Sequence, residues 1–590
     1  MKTKRFYALF CWIIFLTIYS CKEYKLPLLN LDFENVDSHT KKASGWRYTD
    51  NGYTVSIDKT VVNHGKYSLK IESPSNQNEN NDRCWVHIMF DSIPGNQKIR
   101  FSGYIKNEGT NCDSMGLSIF CKSPVQDSYK ILKSNNFRGT HDWQEYSVEI
   151  TSPDSTEYIL LGIEGNGSGT IWADNLKLYL NDKQIIYLPV SNTFKANKDE
   201  IIWLKNHVVP LKTVHAENGF NDLAPLKESL KNARIIALGE NSHGTSEIFE
   251  MKHRLLEFLS IEMGFNVFLI ESAMFDSDPI SDYVQNGNGN PKELMTTLTP
   301  AWQTQEVLDM IIWMRKYNEK SKRKIQFTGI DMTSYYGSLK NLVDFGNNHD
   351  LKLKKLSDSL QIMLSNISFS SIGSENKKLL LSKIRKCNQV LSYLQESQIN
   401  ASINKNELRV IIQNVIIIRQ FLEYYSCGQL GRDKNMAENV SWILDSDPDA
   451  KVVLWAHNEH VSKKEDAMGG FLAKKYGAKY YSIGFITNKG KYTAGIGNVL
   501  STKNEFLKAE PGSFEYNFSK TGLPYFFFDL KAINGNEPNS KWLDKRLNQR
   551  TLGASASENQ FFPTILKEKF DAVIFINSTT PAKTFLPTNN

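Results

Sequence analysis

A chain of 590 residues and 67.4 kDa exceeds what one hydrophobic core supports, so at least two domains are expected. The formal charge of +6 is small for that length, and Lys and Arg are interspersed with Asp and Glu, which argues against a nucleic-acid partner. Charged residues at 23% and aromatics at 12% are globular composition, excluding a wholly disordered chain.

Lys2, Lys4 and Arg5 precede an apolar run, Phe6 to Ile18, that is too short to span a bilayer; this is the layout of a secretory signal. The run ends Ile18-Tyr19-Ser20-Cys21, which resembles a bacterial lipobox. Residues 1–21 are therefore expected to be a lipoprotein signal with Cys21 acylated. That would leave soluble domains lipid-anchored to a membrane of the bacterial cell envelope, extracytoplasmic, with the outer membrane favoured. The competing reading is an ordinary signal peptide with an incidental cysteine. Cys84, Cys112, Cys121, Cys387 and Cys427 form no CxxC pair, which disfavours a zinc knot. One disulfide among the first three and buried free thiols both fit.

Residues 28–183 read as all-β, with short alternating runs (YSLKIES, WVHIMF, IRFSGYIKN, MGLSIFCK, WQEYSVEI, EYILLGIEG) between Asn, Gly, Asp and Ser clusters. Gly139 to Ile150, Gly167 to Leu180 and the early LDFEN resemble the jelly-roll carbohydrate-binding modules of secreted bacterial hydrolases. In that family acidic residues of the first and last strands hold a structural calcium; the matching positions are Glu34 and Asp174, carboxylates suited to a hard cation. Trp46, Tyr53 and Trp85 are candidates for stacking on sugar, with core packing the commoner fate of such aromatics. Glycan binding and a spacer role weigh equally.

Residues 184–200 read as a linker, and 201–590 as an alternating α/β domain. Ile235 to Leu238 is a continuous apolar run, the pattern of a buried parallel strand, ending in Gly239-Glu240. From Ser246 the period becomes helical, with Gly264 as C-cap, and Asn266 to Ile270 is the next strand, stopping at Glu271. Helices follow at Asp278 to Gln285 and Gln303 to Asn318, then a strand from Ile325 to Ile330. Helical periodicity dominates from Leu351 to Tyr425, marking a large helical insertion at about 351–445. Strands then fall at Lys451 to Ala456, Tyr480 to Phe485, Tyr525 to Leu530 and Asp571 to Asn577.

Two histidine-bearing turns close strands: Glu240-Asn241-Ser242-His243-Gly244 and His457-Asn458-Glu459-His460. In such a layout Glu271 or Glu240 would orient His243 as general base, and ring N–H groups of His457 and His460 would polarise a carbonyl. That is hydrolysis of an acyl bond by water, without a protein nucleophile.

LGENSHG, HRLLEFL, GFNVFLIE, WMRKYN, FTGID, RDKNMAENV, VVLWAHNEHV and FDAVIFI, in that order between about Asn206 and Phe585, resemble the erythromycin esterase family. The resemblance implies a metal-independent esterase, with no catalytic cofactor, in which His243 activates water and Glu240, Glu271, His457 and His460 complete the site. It also implies a basic residue on the first helix, Lys252 or Arg254, and Asn458 as a further substrate contact. Asn241-Ser242 and Glu459 depart from the family pattern, the latter placing an extra charge beside the site. Macrolactone cleavage, with macrolide resistance, is the activity that the family name implies; a small-molecule or glycan ester is the expected substrate. Asp331 and Arg432 sit in family motifs and fit structural and functional roles equally. Zinc held by His243, His457, His460 and Glu271, in a hydrolase acting on an acylated polysaccharide, remains an alternative from residue types alone, as does a non-catalytic glycan-binding surface lipoprotein. A serine hydrolase is disfavoured, because no Gly-x-Ser-x-Gly elbow occurs.

Overall fold

The structure, a computed structural model, describes residues 29–588 apart from 37–40, 50–52, 74–83, 92–95, 112–115, 123–128, 134–137, 154–155, 157, 166, 186–193, 350, 366–376, 397–403, 427–430, 497–498 and 557–559. The signal, Cys21, Cys112, Cys427 and residues 186–193 of the linker lie outside the described residues. Among those described, no helix is long and apolar enough to cross a membrane.

The N-terminal region is a two-sheet antiparallel sandwich. One sheet runs Arg47–Thr49, Cys84–Asp91, Tyr158–Gly165, Gly116–Lys122, Tyr129–Lys133; the other runs Thr54–Asp58, Ser68–Glu72, Ser168–Leu180, Lys98–Asn111, Arg138–Thr151, with Lys183–Ile185 beside Ser168–Leu180. Alternation sets which residues turn inward: Val86 and Ile88, Ile159, Leu161 and Ile163, and Leu117 and Ile119 share one core. Trp46 and Tyr53 belong to that core, at 2% and 6% exposure, so they are not exposed sugar platforms. Trp46 gives its indole N–H to the Asn30 carbonyl at 2.8 Å, and Trp85 stacks on His87 at 4.2 Å between centroids.

The C-terminal region is a nine-stranded mixed sheet in the order Val209–Pro210, Tyr525–Asp529, Ala572–Thr579, Tyr480–Ile496, Ile235–Leu238, Val452–Trp455, Val267–Ala273, Gln326–Asp331, with Val499–Glu505 paired to the Tyr480–Ile496 strand. The central strands are parallel and covered on both faces, as their unbroken apolar runs require. Ile236, Leu238 and Val453 face one core while Ile235, Ala237 and Leu454 face the other. The Ser246–Met263 helix packs on the first face and ends at Gly264, which takes a left-handed conformation at φ 70°.

The strand–helix–strand unit from Ile235 to Ala273 is present, with a third strand between its two strands. Ile235–Leu238 and Val267–Ala273 are consecutive in sequence but not neighbours, because Val452–Trp455 lies between them, parallel to both. Leu238, Trp455 and Ile270 are in register, so Glu240, His457 and Glu271 follow on one edge.

Tyr336–His349, Leu351–Ser365, Lys377–Gln395 and Lys405–Ser426 form the helical insertion around a core of their own that includes Leu342, Leu360, Val390 and Phe421. The Arg432–Leu444 helix, expected within it, packs on the sheet through Met436, Val440 and Leu444. Helical period alone could not separate the two, because it says nothing about which core a face meets.

Candidate active site

The turn after Ile235–Leu238 is built by close backbone approach. A Cβ at Gly239 would lie 2.2 Å from Asn458 Oδ1, and one at Gly244 would lie 1.8 Å from the Thr493 carbonyl oxygen, so both glycines are needed for their lack of a side chain. Between them, Glu240 is fully buried and His243 keeps 14% of its side-chain surface. His243 Nδ1 lies 2.6 Å from Glu240 Oε1, and Glu240 Oε2 accepts from Lys252 Nζ at 2.7 Å and from the Trp455 indole at 2.9 Å. Three donors converge on this one carboxylate, which orients the His243 Nδ1–H toward it. His243 Nε2 has no hydrogen bond among the described residues. Trp302 meets the imidazole edge-on at 5.0 Å between centroids and donates to the Glu271 carbonyl at 2.8 Å, which fixes the ring plane.

Lys252 lies 4.3 Å from the Trp455 ring centroid, and burial pulls its ammonium down to about 8 against the pull of Glu240. It thus stays largely charged at pH 7. Of the two basic candidates on the helix it is the one at the site. Arg254 is not: its guanidinium binds Asp222 at 2.6 Å and 3.1 Å and the carbonyls of Thr213 and Gly219, both at 2.7 Å, on a separate loop. Residues two apart on a helix point about 200° apart, so only one could face Glu240. Asn458 is also removed from substrate contact. It is fully buried, and its amide bridges to Phe485, donating to the carbonyl at 2.8 Å and accepting the N–H at 3.0 Å.

Glu271 does not orient His243. Its Oε2 accepts the His457 backbone N–H at 2.8 Å, and its Oε1 meets Arg432 Nη2 at 2.9 Å and His460 Nε2 at 3.2 Å. Burial opposes its ionisation, yet the His460 and Arg432 charges hold the carboxyl well below its usual range. Arg432 also pairs with Asp331, and His460 Nδ1 lies 2.8 Å from Asp433 Oδ1. Burial would discharge His460, but Glu271 and Asp433 on either side push it up to about 10, so it is an imidazolium at neutral pH. Arg432 Nη1 stands 3.0 Å from the same His460 Nε2, a like-charge approach stabilised by the carboxylate the two share.

His457 is different again. Burial and the nearby His243 lower it to about 4, leaving a neutral ring whose Nε2–H donates to the Leu552 carbonyl at 2.7 Å while Nδ1 accepts the Glu459 N–H at 3.2 Å. The expected presentation of ring N–H groups to a carbonyl is therefore not what the geometry holds: both histidines spend their ring nitrogens inside the protein. The charge expected from Glu459 is neutralised, since Lys569 Nζ sits 2.6 Å from its carboxylate and holds it down to about 2.

The ring centroids of His243 and His457 are 5.1 Å apart, and those of His457 and His460 are 6.4 Å apart. Around this row, carboxylates at Glu240, Glu271, Asp331 and Asp433 face cations at Lys252, Arg432 and His460, one negative charge in excess. A proton arriving on His243 balances it. Asp433, Trp302 and Trp455 escaped the sequence reading; only Trp455 carried a signal, because a buried indole N–H one turn from two histidines needs an acceptor.

Fold and site together define an α/β protein with a histidine–carboxylate centre of hydrolytic type at the carboxyl edge of its sheet. The erythromycin esterase family model matches residues 261–579, more than half of the chain, and the protein belongs to that family. The matched span takes in Glu271, Arg432, His457 and His460 and begins after Glu240 and His243. Among curated relatives, Escherichia coli erythromycin esterase type II is 27% identical over 373 residues, covering 56% of this chain and 88% of its own. A putative hydrolase of Bacillus subtilis is 25% identical over 424 residues, covering 64% and 91%. A solved structure described as a succinoglycan biosynthesis protein is 28% identical with a TM-score of 0.59, covering 65% of this chain and 98% of its own.

Proposed function

We propose that this hydrolase cleaves a carboxylic ester or macrolactone with water activated by His243. The carrying observation is the 2.6 Å contact of His243 Nδ1 with a fully buried, triply held Glu240, which turns Nδ1 inward and leaves Nε2 without a protein partner among the described residues. A water O–H proton passes to Nε2 while the water oxygen bonds to the carbonyl carbon and the C=O electron pair moves to oxygen. Collapse of that intermediate expels the alkoxide, which takes the proton back from Nε2. Glu240 stabilises the imidazolium in between. The donor geometry supports a metal-independent reaction, because each ring nitrogen of His457 and His460 already has a protein partner.

A macrolide and an acylated glycan are both supported as substrate, the first by the erythromycin esterase relative and the second by the succinoglycan-related structure and the sandwich. An extracytoplasmic site tethered through Cys21 suits either. A structural calcium at Glu34 and Asp174 would draw on the Asp174 carboxyl, which burial and the Glu34 charge push up, but backbone N–H groups of Lys66, Tyr67, Asn63 and His64 already occupy these carboxylates, and no third carboxylate or histidine completes a metal cluster among the described residues. Residues 22–590, incubated with macrolides and with acylated glycans, with and without chelator, test the reading beside His243→Ala. Turnover that survives chelator and vanishes in His243→Ala is expected. Full activity in His243→Ala, or its loss to chelator, would refute the mechanism; glycan binding without ester turnover would favour a binding protein.

A further inference from the structure

An ester attacked by water places a negative charge on the carbonyl oxygen, and a donor must already be aimed at that point. The side chains around the histidines can be taken donor by donor. His457 gives its N–H to Leu552, Lys252 is sealed against Glu240, the indoles of Trp455 and Trp302 serve Glu240 and the Glu271 carbonyl, and the Asn458 amide crosses to Phe485. Asn241 Nδ2 and Ser242 Oγ, beside His243, have no partner among the described residues but are fully buried, so none of these donors lies at an opening.

Arg432 differs. Its Nε and Nη2 are held by Asp331 and Glu271, which leaves Nη1 with His460 Nε2 as its neighbour. With His460 charged, Nε2–H belongs to Glu271 and both Nη1 protons are left over. With His460 neutral, Nε2 can accept one and a second remains. Either way Nη1 retains at least one N–H, on a side chain that keeps 23% of its surface exposed beside the histidine row. The guanidinium is planar, cannot lose its charge and is clamped by two carboxylates that are 5% and 2% exposed, so it needs no reorganisation as the oxyanion forms.

We infer that Arg432 is the oxyanion donor, its Nη1 binding the carbonyl oxygen of the ester that His243-activated water attacks. The inference rests on His243 being the base. It also orders the reacting groups: the attacking water donates to His243 Nε2 and the carbonyl oxygen accepts from the guanidinium, each hydrogen bond about 2.8–3 Å long. It accounts for the chain of carboxylates, too. Asp331 and Glu271 align the guanidinium, and Asp433 holds His460 from the other side so that Nε2 faces Glu271.

The test is Arg432→Lys, which keeps a cation for Asp331 and Glu271 but replaces the fork with a point charge, assayed on an ester that the wild type hydrolyses. Two inhibitors are measured alongside: a phosphonate monoester, tetrahedral and anionic like the intermediate, and the planar amide isostere of the ester. The expected result is a kcat loss of about 10²–10³-fold with KM within threefold, as for removal of one oxyanion donor. Phosphonate affinity should fall by a comparable factor, amide affinity should hold, and the pH limb of the base should stay in place. Unchanged kcat, a change confined to KM, or equal weakening of both inhibitors would overturn the inference. Should the lysine variant misfold, phenylglyoxal labelling of the wild-type protein serves instead: the phosphonate must protect Arg432, and failure to protect it also overturns the inference. Full rate in Arg432→Lys alone removes the donor and leaves the base; full rate in His243→Ala removes both.

Discussion

Glu240→Gln separates orientation from stability at the centre of the site. Gln keeps the shape of Glu240 but removes its charge and faces one of its three donors with an N–H. Two costs compete. Lys252 would lose its counter-charge, and an unpaired buried cation costs about 3–5 kcal/mol. It need not stay charged: from about 8 in the wild type, its release of a proton at pH 7 costs roughly 1.4 kcal/mol. The cheaper route prevails, so stability should fall by about 1–2 kcal/mol and Tm by a few degrees, with a larger loss as the pH is lowered below 7. Catalysis has no such escape. With the Nδ1 proton no longer fixed and the imidazolium no longer balanced, kcat should fall by about 10³–10⁴-fold, the scale seen when a histidine loses its orienting carboxylate. Steady-state kinetics at a temperature where both proteins are folded, with thermal melts between pH 6 and 8, measure both effects. Glu240→Gln combined with Lys252→Met should recover Tm and leave the rate low. A Glu240→Gln protein within tenfold of wild-type kcat would show that Glu240 does not orient the base.

His460 gives a pH signature. Its folded-state value of about 10 lies above the ordinary 6.5, so its contribution is full below pH 6.5 and is lost as pH rises through 10. Lys252, depressed to about 8, contributes with the opposite sign between 8 and 10.5. Urea melts of wild type minus His460→Gln should therefore show the difference declining by about 1.4 kcal/mol per pH unit from 7 upward; a flat difference would contradict an imidazolium there. Arg254→Leu, which removes the guanidinium from Asp222 and leaves that carboxylate the Lys212 N–H, should cost about 1–3 kcal/mol of stability while kcat and KM hold at temperatures where the protein is folded; a rise in KM would return Arg254 to the site.

The Ile235–Leu238 run, the helix stop at Gly264 and the two histidine turns were legible because each is a local pattern: a continuous apolar stretch, a period of 3.6, a turn residue. The choice between Lys252 and Arg254 was not, since that helix buries nearly every residue from Ser246 to Ser260 and so offers no polar face to mark the direction of the site. The roles of His457 and His460 were misread for a related reason. A sequence shows that a ring has N–H groups, but their acceptors, the Leu552 carbonyl and the carboxylates of Asp433 and Glu271, come from distant segments.

By itself the sequence determined a sandwich followed by an α/β domain, and it named Glu240, His243, Glu271, His457 and His460, because periodicity and strand-end turns are written within a few residues. Only the tertiary structure decided that Val452–Trp455 enters between two strands adjacent in sequence, since strand pairing is set by which faces can be buried together, not by chain order. That insertion carries His457 and His460 between His243 and Glu271, and with Arg432 it turns two separate half-sites into one.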